Sequence, residues 1–288
     1  MIAVILMPLV RGMESAPGDD AVTEILRGLS APWGIAVALG AAAICAGFGW
    51  MVYTVLRVFV PSRPLPEPTN TTIESVGAVF IFIAAGQAIG GLLRVLGWDD
   101  ILVRLAGTIL VNIGCLGALA AFRRDRAGGS PFPWWDLRPH AGLGRALAAM
   151  PLVFVAFMPI HFAAAIAWRC ALHAAGRPLD VQEVLLAPLG RGPLVIGAFA
   201  MLAAGVVPVL EEAIFRGALY RSLRESMGRW GAALVASLVF ALLHFNEGSL
   251  APLFLLSILF VIVYEWSGSL WACVALHACF NAVNFTLA

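Results

Sequence analysis

The stretch VVPVLEEAIFRGALYRSL runs from Val206 to Leu223. Five apolar residues lead into two adjacent glutamates, Glu211 and Glu212, and Arg216 follows four positions after the second. A segment so apolar on its N-terminal side has no obvious reason to accept three ionisable groups within six residues. The rest of the chain sharpens the conflict. Of 288 residues, 61% are hydrophobic and only 12% are charged, and the mean hydropathy is +0.92. Soluble domains carry about 25% charged and about 45–50% apolar residues. A hydrocarbon core of about 30 Å needs roughly 20 apolar residues as a helix, and several stretches here meet that requirement. The chain therefore reads as an all-α protein, a polytopic membrane helix bundle.

Eight spans are expected. They run over about 33–56, 73–96, 101–122, 146–168, 193 to beyond Arg216, 230–245, 250–266 and 269–287. The Pro-rich loop PSRPLPEPTN breaks the first from the second. The second contains Gly86 and Gly90 at a spacing that lets helix backbones approach closely. Two amphipathic stretches, one with Trp134 and Trp135 and one reading VQEVLLAPLG, separate the middle spans. Most tryptophans fall at span ends, as an interfacial aromatic belt requires. Residues 1–30 read as an N-terminal segment, partly amphipathic; MIAVILMPLV is too short to span and lacks the basic region of a signal peptide. Residues 31–288 read as one transmembrane domain with no internal repeat. The five cysteines, in or beside apolar spans and without CxxC pairing, read as small core residues. Arginines divide ten against seven between the two faces, and the loop carrying Arg123, Arg124, Arg126, Arg138 and Arg145 assigns its face to the cytoplasm.

Ionisable groups inside a membrane are costly and are functional candidates for that reason. The last third of the chain concentrates them: Glu211, Glu212 and Arg216 on span five, His244 on span six, His277 and Asn281 on span eight. Consecutive helical residues point about 100° apart, so Glu211 and Glu212 are expected on different faces. Glu212 and Arg216, at i,i+4 with the acid first, are placed to pair, leaving Glu211 free. His277 and Asn281 share a face by the same spacing, and Phe240 walls His244. Spans five and six form a hairpin about a turn near Met227–Gly228, and counting back puts Glu211 and His244 each about 25 Å from it. Glu211 then lies about 14 Å and His277 about 12 Å below one membrane face. The hairpin's outer part, with Arg221, Arg224, Glu225 and Arg229, is too polar for lipid and is expected to protrude.

A carboxylate beside a neutral imidazole can hold and deprotonate a water. An imidazole N–H and an amide on one face can donate to a developing oxyanion. No serine, threonine or cysteine sits at a comparable position, so direct attack by water is the natural chemistry. EEAIFRG fits E-E-x-x-x-R, FALLH from Phe240 to His244 fits F-x-x-x-H, and HACFN from His277 to Asn281 fits H-x-x-x-N. Together, in this order on late helices, they resemble the CAAX prenyl protease and bacteriocin-processing family of intramembrane glutamic endopeptidases, which includes the Ras-converting enzyme. The resemblance covers roughly residues 200–285, within a protease-like core of about 190–288. It implies an eight-helix endopeptidase reached from the cytoplasm, with Glu211 and His244 activating water and His277 and Asn281 forming the oxyanion hole. Glu212, Arg216 and Phe240 would support the site. Neither metal nor other cofactor is implied.

Plainer readings stand beside these. Glu212–Arg216 also reads as a structural ion pair, and Pro208 as a simple kink. Glu74 reads as a first-turn acid, Gln87 and Asn112 as interhelical hydrogen bonders, and Glu265 as an acid reaching water at a span end. His140 and His173 read as solvated, and His161 as an intramembrane histidine without visible partners. The reading carried forward is a multi-pass integral endopeptidase of the cell (plasma) membrane, acting on a membrane-tethered or membrane-embedded polypeptide, with lipid but no nucleic acid as partner. The alternatives are a zinc-dependent membrane protease ligated by Glu211, His244 and His277, and a non-catalytic transporter or scaffold.

Overall fold

A computed structural model describes residues 34–65, 71–97, 107, 109–120, 141–177 and 192–287. The N-terminal segment, most of the arginine-rich loop with Trp134 and Trp135, His140, the side chain of Gln87 and the VQEVLLAPLG stretch lie outside the described residues.

Among the described residues the regular elements are all helical. Helix α1 is Gly34–Phe59 and α2 is Thr72–Val95. Helix α3 is Ile109–Ala120 and α4 is Leu143–Ala174. One long run then comprises α5 (Pro193–Met201), a π segment (Leu202–Val206), α6 (Val207–Glu212), a second π segment (Ala213–Tyr220) and α7 (Arg221–Leu242). Helices α8 (Leu250–Ser267) and α9 (Leu270–Leu287) close the chain. Among the described residues, five helical runs are long and apolar enough to cross a membrane, and two shorter apolar helices accompany them. The longest run covers 50 residues and doubles back at Gly228. Its φ of 73° and ψ of 172° leave the helical region, a conformation glycine adopts without a Cβ penalty. The hairpin expected near Met227–Gly228 is therefore present, and eight apolar segments follow one another among the described residues. Large apolar side chains such as Leu39, Trp50, Phe80 and Leu194 face outward. Closed helical hydrogen bonding with apolar side chains outside suits lipid. The protein is an integral membrane helix bundle.

Local chemistry sets the helix ends. Thr71 and Glu74 form a reciprocal cap on α2: Glu74 Oε2 accepts from the Thr71 N–H at 2.8 Å, and Thr71 Oγ1 accepts from the Glu74 N–H at 3.3 Å. The short link between α8 and α9 turns on Gly268, at φ 58°. A Cβ there would lie 2.9 Å from the Pro64 carbonyl oxygen. The same corner is tied by Trp266 Nε1 donating to Val60 O and by the Arg63 N–H donating to Trp266 O, each at 3.0 Å.

Helix α4 packs against α1, α8 and α9. Its Met150, Val153 and Ala156 share one core with Leu256, Phe260 and Leu276. Gly86 approaches α3, where an added Cβ would touch Val111. One expectation needs correction at the tip of the hairpin. Arg224, Glu225 and Arg229 are exposed, but Arg221 turns inward and is buried. Glu265, whose side chain is 15% exposed, has protein partners as well: it accepts from Tyr220 Oη at 2.7 Å and pairs with Arg224 at 2.7 Å.

Candidate active site

The site begins with a proline. Proline lacks an N–H and cannot continue an α-helical ladder unaided. Upstream of Pro208 the backbone widens into the π segment Leu202–Val206, where the Val207 N–H reaches back to Leu202 O. In that five-residue pattern the carbonyl of Ala203 falls to residue 208, which has no N–H to give. Asn281 of α9 supplies the missing donor, its Nδ2 bonding Ala203 O at 2.8 Å. The amide carries a second hydrogen beyond this bond. A kink was the plainer expectation for Pro208; the structure shows a π turn pinned by a side chain from another helix.

Glu211 and Glu212 end α6, immediately before the second π segment. Glu212 is fully buried and Arg216 is 1% exposed. Arg216 Nη1 donates to Glu212 Oε1 at 3.0 Å, the i,i+4 pair expected from spacing. The same oxygen accepts from His277 Nδ1 at 2.9 Å. Arg216 Nη2 donates to Ser257 Oγ at 2.6 Å and to Ser257 O at 3.3 Å. Its guanidinium carbon lies 4.8 Å from the ring centres of both Phe240 and Phe260. A buried cation thus meets two carboxylate- or hydroxyl-type acceptors and two π faces. His277 stacks on Phe260 at 5.0 Å.

The other nitrogen of His277 faces Glu211, with Nε2 3.8 Å from Glu211 Oε2. The Glu211 side chain is 15% exposed. The two glutamates were expected on different faces, with Glu212 turned to Arg216 alone. In fact both flank one imidazole, because α9 places His277 in the wedge between their directions. Glu212 therefore orients His277 as well as pairing with Arg216.

His244 lies in the turn immediately after α7, two residues past its last helical residue Leu242. Its Nδ1 lies 2.8 Å from Phe240 O. A carbonyl can only accept, so Nδ1 carries the proton and a neutral ring keeps its Nε2 lone pair. The Phe240 ring sits 4.8 Å from His244 and 6.0 Å from His277, between the two imidazoles. Among the described residues no ion pair joins His244 to Glu211; the direct approach to Glu211 is made by His277. His161 lies elsewhere on α4, its ring 5.0 Å from Phe280.

Ser257 and Phe260 are site residues that sequence reasoning missed. A serine within the apolar stretch Leu250–Val263 of α8 carries the same signal as any small residue at a helix interface. Phe260 is indistinguishable there from ordinary core. No group of three or more His, Cys, Asp or Glu side chains among the described residues is arranged to hold a metal ion. Glu211, His244 and His277 thus do not form the three-ligand zinc set considered from the sequence. An apolar groove of about 370 Å³, lined by Trp168, Leu234, Leu238 and Phe254 among others, opens between α4, α7 and α8. It contains none of the carboxylates or histidines.

Chemically, the arrangement offers a partly accessible carboxylate, an imidazole with an available lone pair, a second imidazole held by a buried acid, and an anchored amide. Comparison with known families places a match at residues 193–283, to a model described as Rce1-like, type II CAAX prenyl endopeptidase Rce1-like. No curated protein and no solved structure matches the chain.

Proposed function

We propose that the protein is a membrane protease with a glutamic, metal-independent mechanism centred on Glu211, a reading supported by the match of residues 193–283 to the Rce1-like CAAX prenyl endopeptidase model. The observation that carries it is the approach of Glu211 Oε2 to His277 Nε2 at 3.8 Å, beside a buried chain of partners and still partly open to solvent. Glu211 takes a proton from water, and the water oxygen bonds the scissile carbonyl carbon. His244, through Nε2, accepts a hydrogen bond from the same water and orients it. The carbonyl oxygen, now negative, is met by an N–H donated from His277 Nε2 and by the second amide hydrogen of Asn281. Collapse of the adduct breaks the C–N bond, and the proton held by Glu211 passes to the leaving amine. General-base catalysis contributes about 10²–10⁴-fold, and each oxyanion donor about 10²–10³-fold.

The protease-like core is residues 190–288, and the substrate is a membrane-tethered or membrane-embedded polypeptide cut near the cytoplasmic face of the cell membrane. The test uses purified protein and a quenched-fluorescent peptide bearing an S-farnesyl cysteine and three further residues, with an unprenylated twin in parallel. Cleavage of either peptide by the unmodified protein should vanish in Glu211→Ala and fall about 100-fold in Asn281→Ala. Wild-type turnover by a folded Glu211→Ala variant would remove the assignment.

A further inference from the structure

Three polar residues stand in line behind His277, and only two of them belong to the motifs. Ser257 is 1% exposed on α8, within the otherwise apolar run from Leu250 to Val263. It accepts from Arg216 Nη2 through its hydroxyl at 2.6 Å and through its carbonyl at 3.3 Å. Arg216 donates to Glu212 Oε1, and that oxygen also receives His277 Nδ1. The other oxygen, Glu212 Oε2, is buried and makes no hydrogen bond among the described residues. The direction of the carboxylate is therefore set through one oxygen, by His277 on one side and Arg216 on the other. Arg216 itself lies between two rings and is held by two polar side chains, Glu212 at Nη1 and Ser257 at Nη2.

We infer that Ser257 is a positioning residue for the hydrolysis, acting through Arg216 and Glu212 on the orientation of His277. The inference rests on the proposed protease reading. Hydrogen bonds to a charged group are the strong ones, because the buried guanidinium has no water to replace a lost acceptor. Removing the hydroxyl leaves Arg216 its carbonyl contact and its pair with Glu212, so the fold persists while the chain slackens. The loss appears in the chemical step rather than in substrate binding, since Ser257 lies behind the reacting groups.

The experiment measures kcat and KM for Ser257→Ala, Ser257→Thr, Glu212→Gln and the Ser257→Ala/Glu212→Gln double variant. The probe is whichever of the two quenched peptides the unmodified protein cuts faster. The expected result is a kcat about 10-fold lower in Ser257→Ala with KM within about twofold. Ser257→Thr, which keeps the hydroxyl, should return most of that loss. The double variant should be no slower than Glu212→Gln alone, because the serine acts only through the acid. A purely structural serine would give additive losses and would not separate kcat from KM. If the alanine variant does not purify as a monodisperse species, Ser257→Cys, similar in size but a weak acceptor, carries the same comparison. Unchanged kcat in Ser257→Ala, or additive losses in the double variant, would overturn the inference while Glu211-dependent cleavage left the protease reading intact. Absence of Glu211-dependent cleavage would instead overturn that reading, and the inference with it.

Discussion

Glu212 offers a single oxygen to two donors, one from its own helical run and one from α9. Holding an ion pair in a buried place is worthwhile only when both charges stay matched, because desolvation penalises each alone. Arg216→Ala would leave the carboxylate uncompensated and should cost about 3–5 kcal/mol, read as a lowered unfolding midpoint of the solubilised protein. Arg216→Lys should recover little of this, since an ammonium cannot reproduce a planar fork that serves Glu212, Ser257 and two aromatic faces together. At this scale the sequence was informative where residues repeat at i,i+4: the Glu212–Arg216 pair and the shared direction of His277 and Asn281 follow from helical geometry. It was silent on Ser257, because one small polar residue in an apolar helix has no periodic partner. It also misled on Arg221, whose burial depends on neighbouring helices that spacing along the chain does not reveal.

Between residues and fold stands the widened helix that carries both glutamates. Pro208 removes one donor, the π turn before it redistributes the rest, and Asn281 answers the carbonyl left over. Pro208→Ala would return an N–H to the ladder, allow the turn to tighten and release Asn281. The expected outcome is a kcat lower by about 10–100-fold at unchanged or higher thermal stability, since a displacement of about 1 Å at a site can cost about 10²-fold. The turn at Gly228 was legible because a glycine amid polar residues interrupts two apolar runs. The π segments were not, since an extra residue per turn disturbs the apolar pattern too little to be read over five to eight positions. A second element-level expectation concerns the link at Gly268. Alanine there would meet the Pro64 carbonyl at 2.9 Å and hold a left-handed φ. It should destabilise by about 1–3 kcal/mol, measured by thermal unfolding, while activity per folded molecule stays unchanged.

For the molecule as a whole, the late helices supply every candidate catalytic group, while α4 gives α8 and α9 a common surface to pack on. Composition pointed to the membrane bundle, because 61% hydrophobic and 12% charged residues lie far from the averages of soluble domains. The convergence on His277 was readable only as a level, since depth can be counted along helices whereas the side from which a ring approaches cannot. On the proposed metal-independent mechanism, in which histidines and carboxylates act directly on water, cleavage should persist in strong chelator. The measurement that bears most directly on the central claim compares newly formed protein N-termini in membranes containing the unmodified protein and in membranes containing Glu211→Ala at equal abundance. The account predicts that a set of termini in membrane-bound polypeptides disappears with the variant while their uncut precursors accumulate. Identical profiles, from two equally folded proteins, would contradict it.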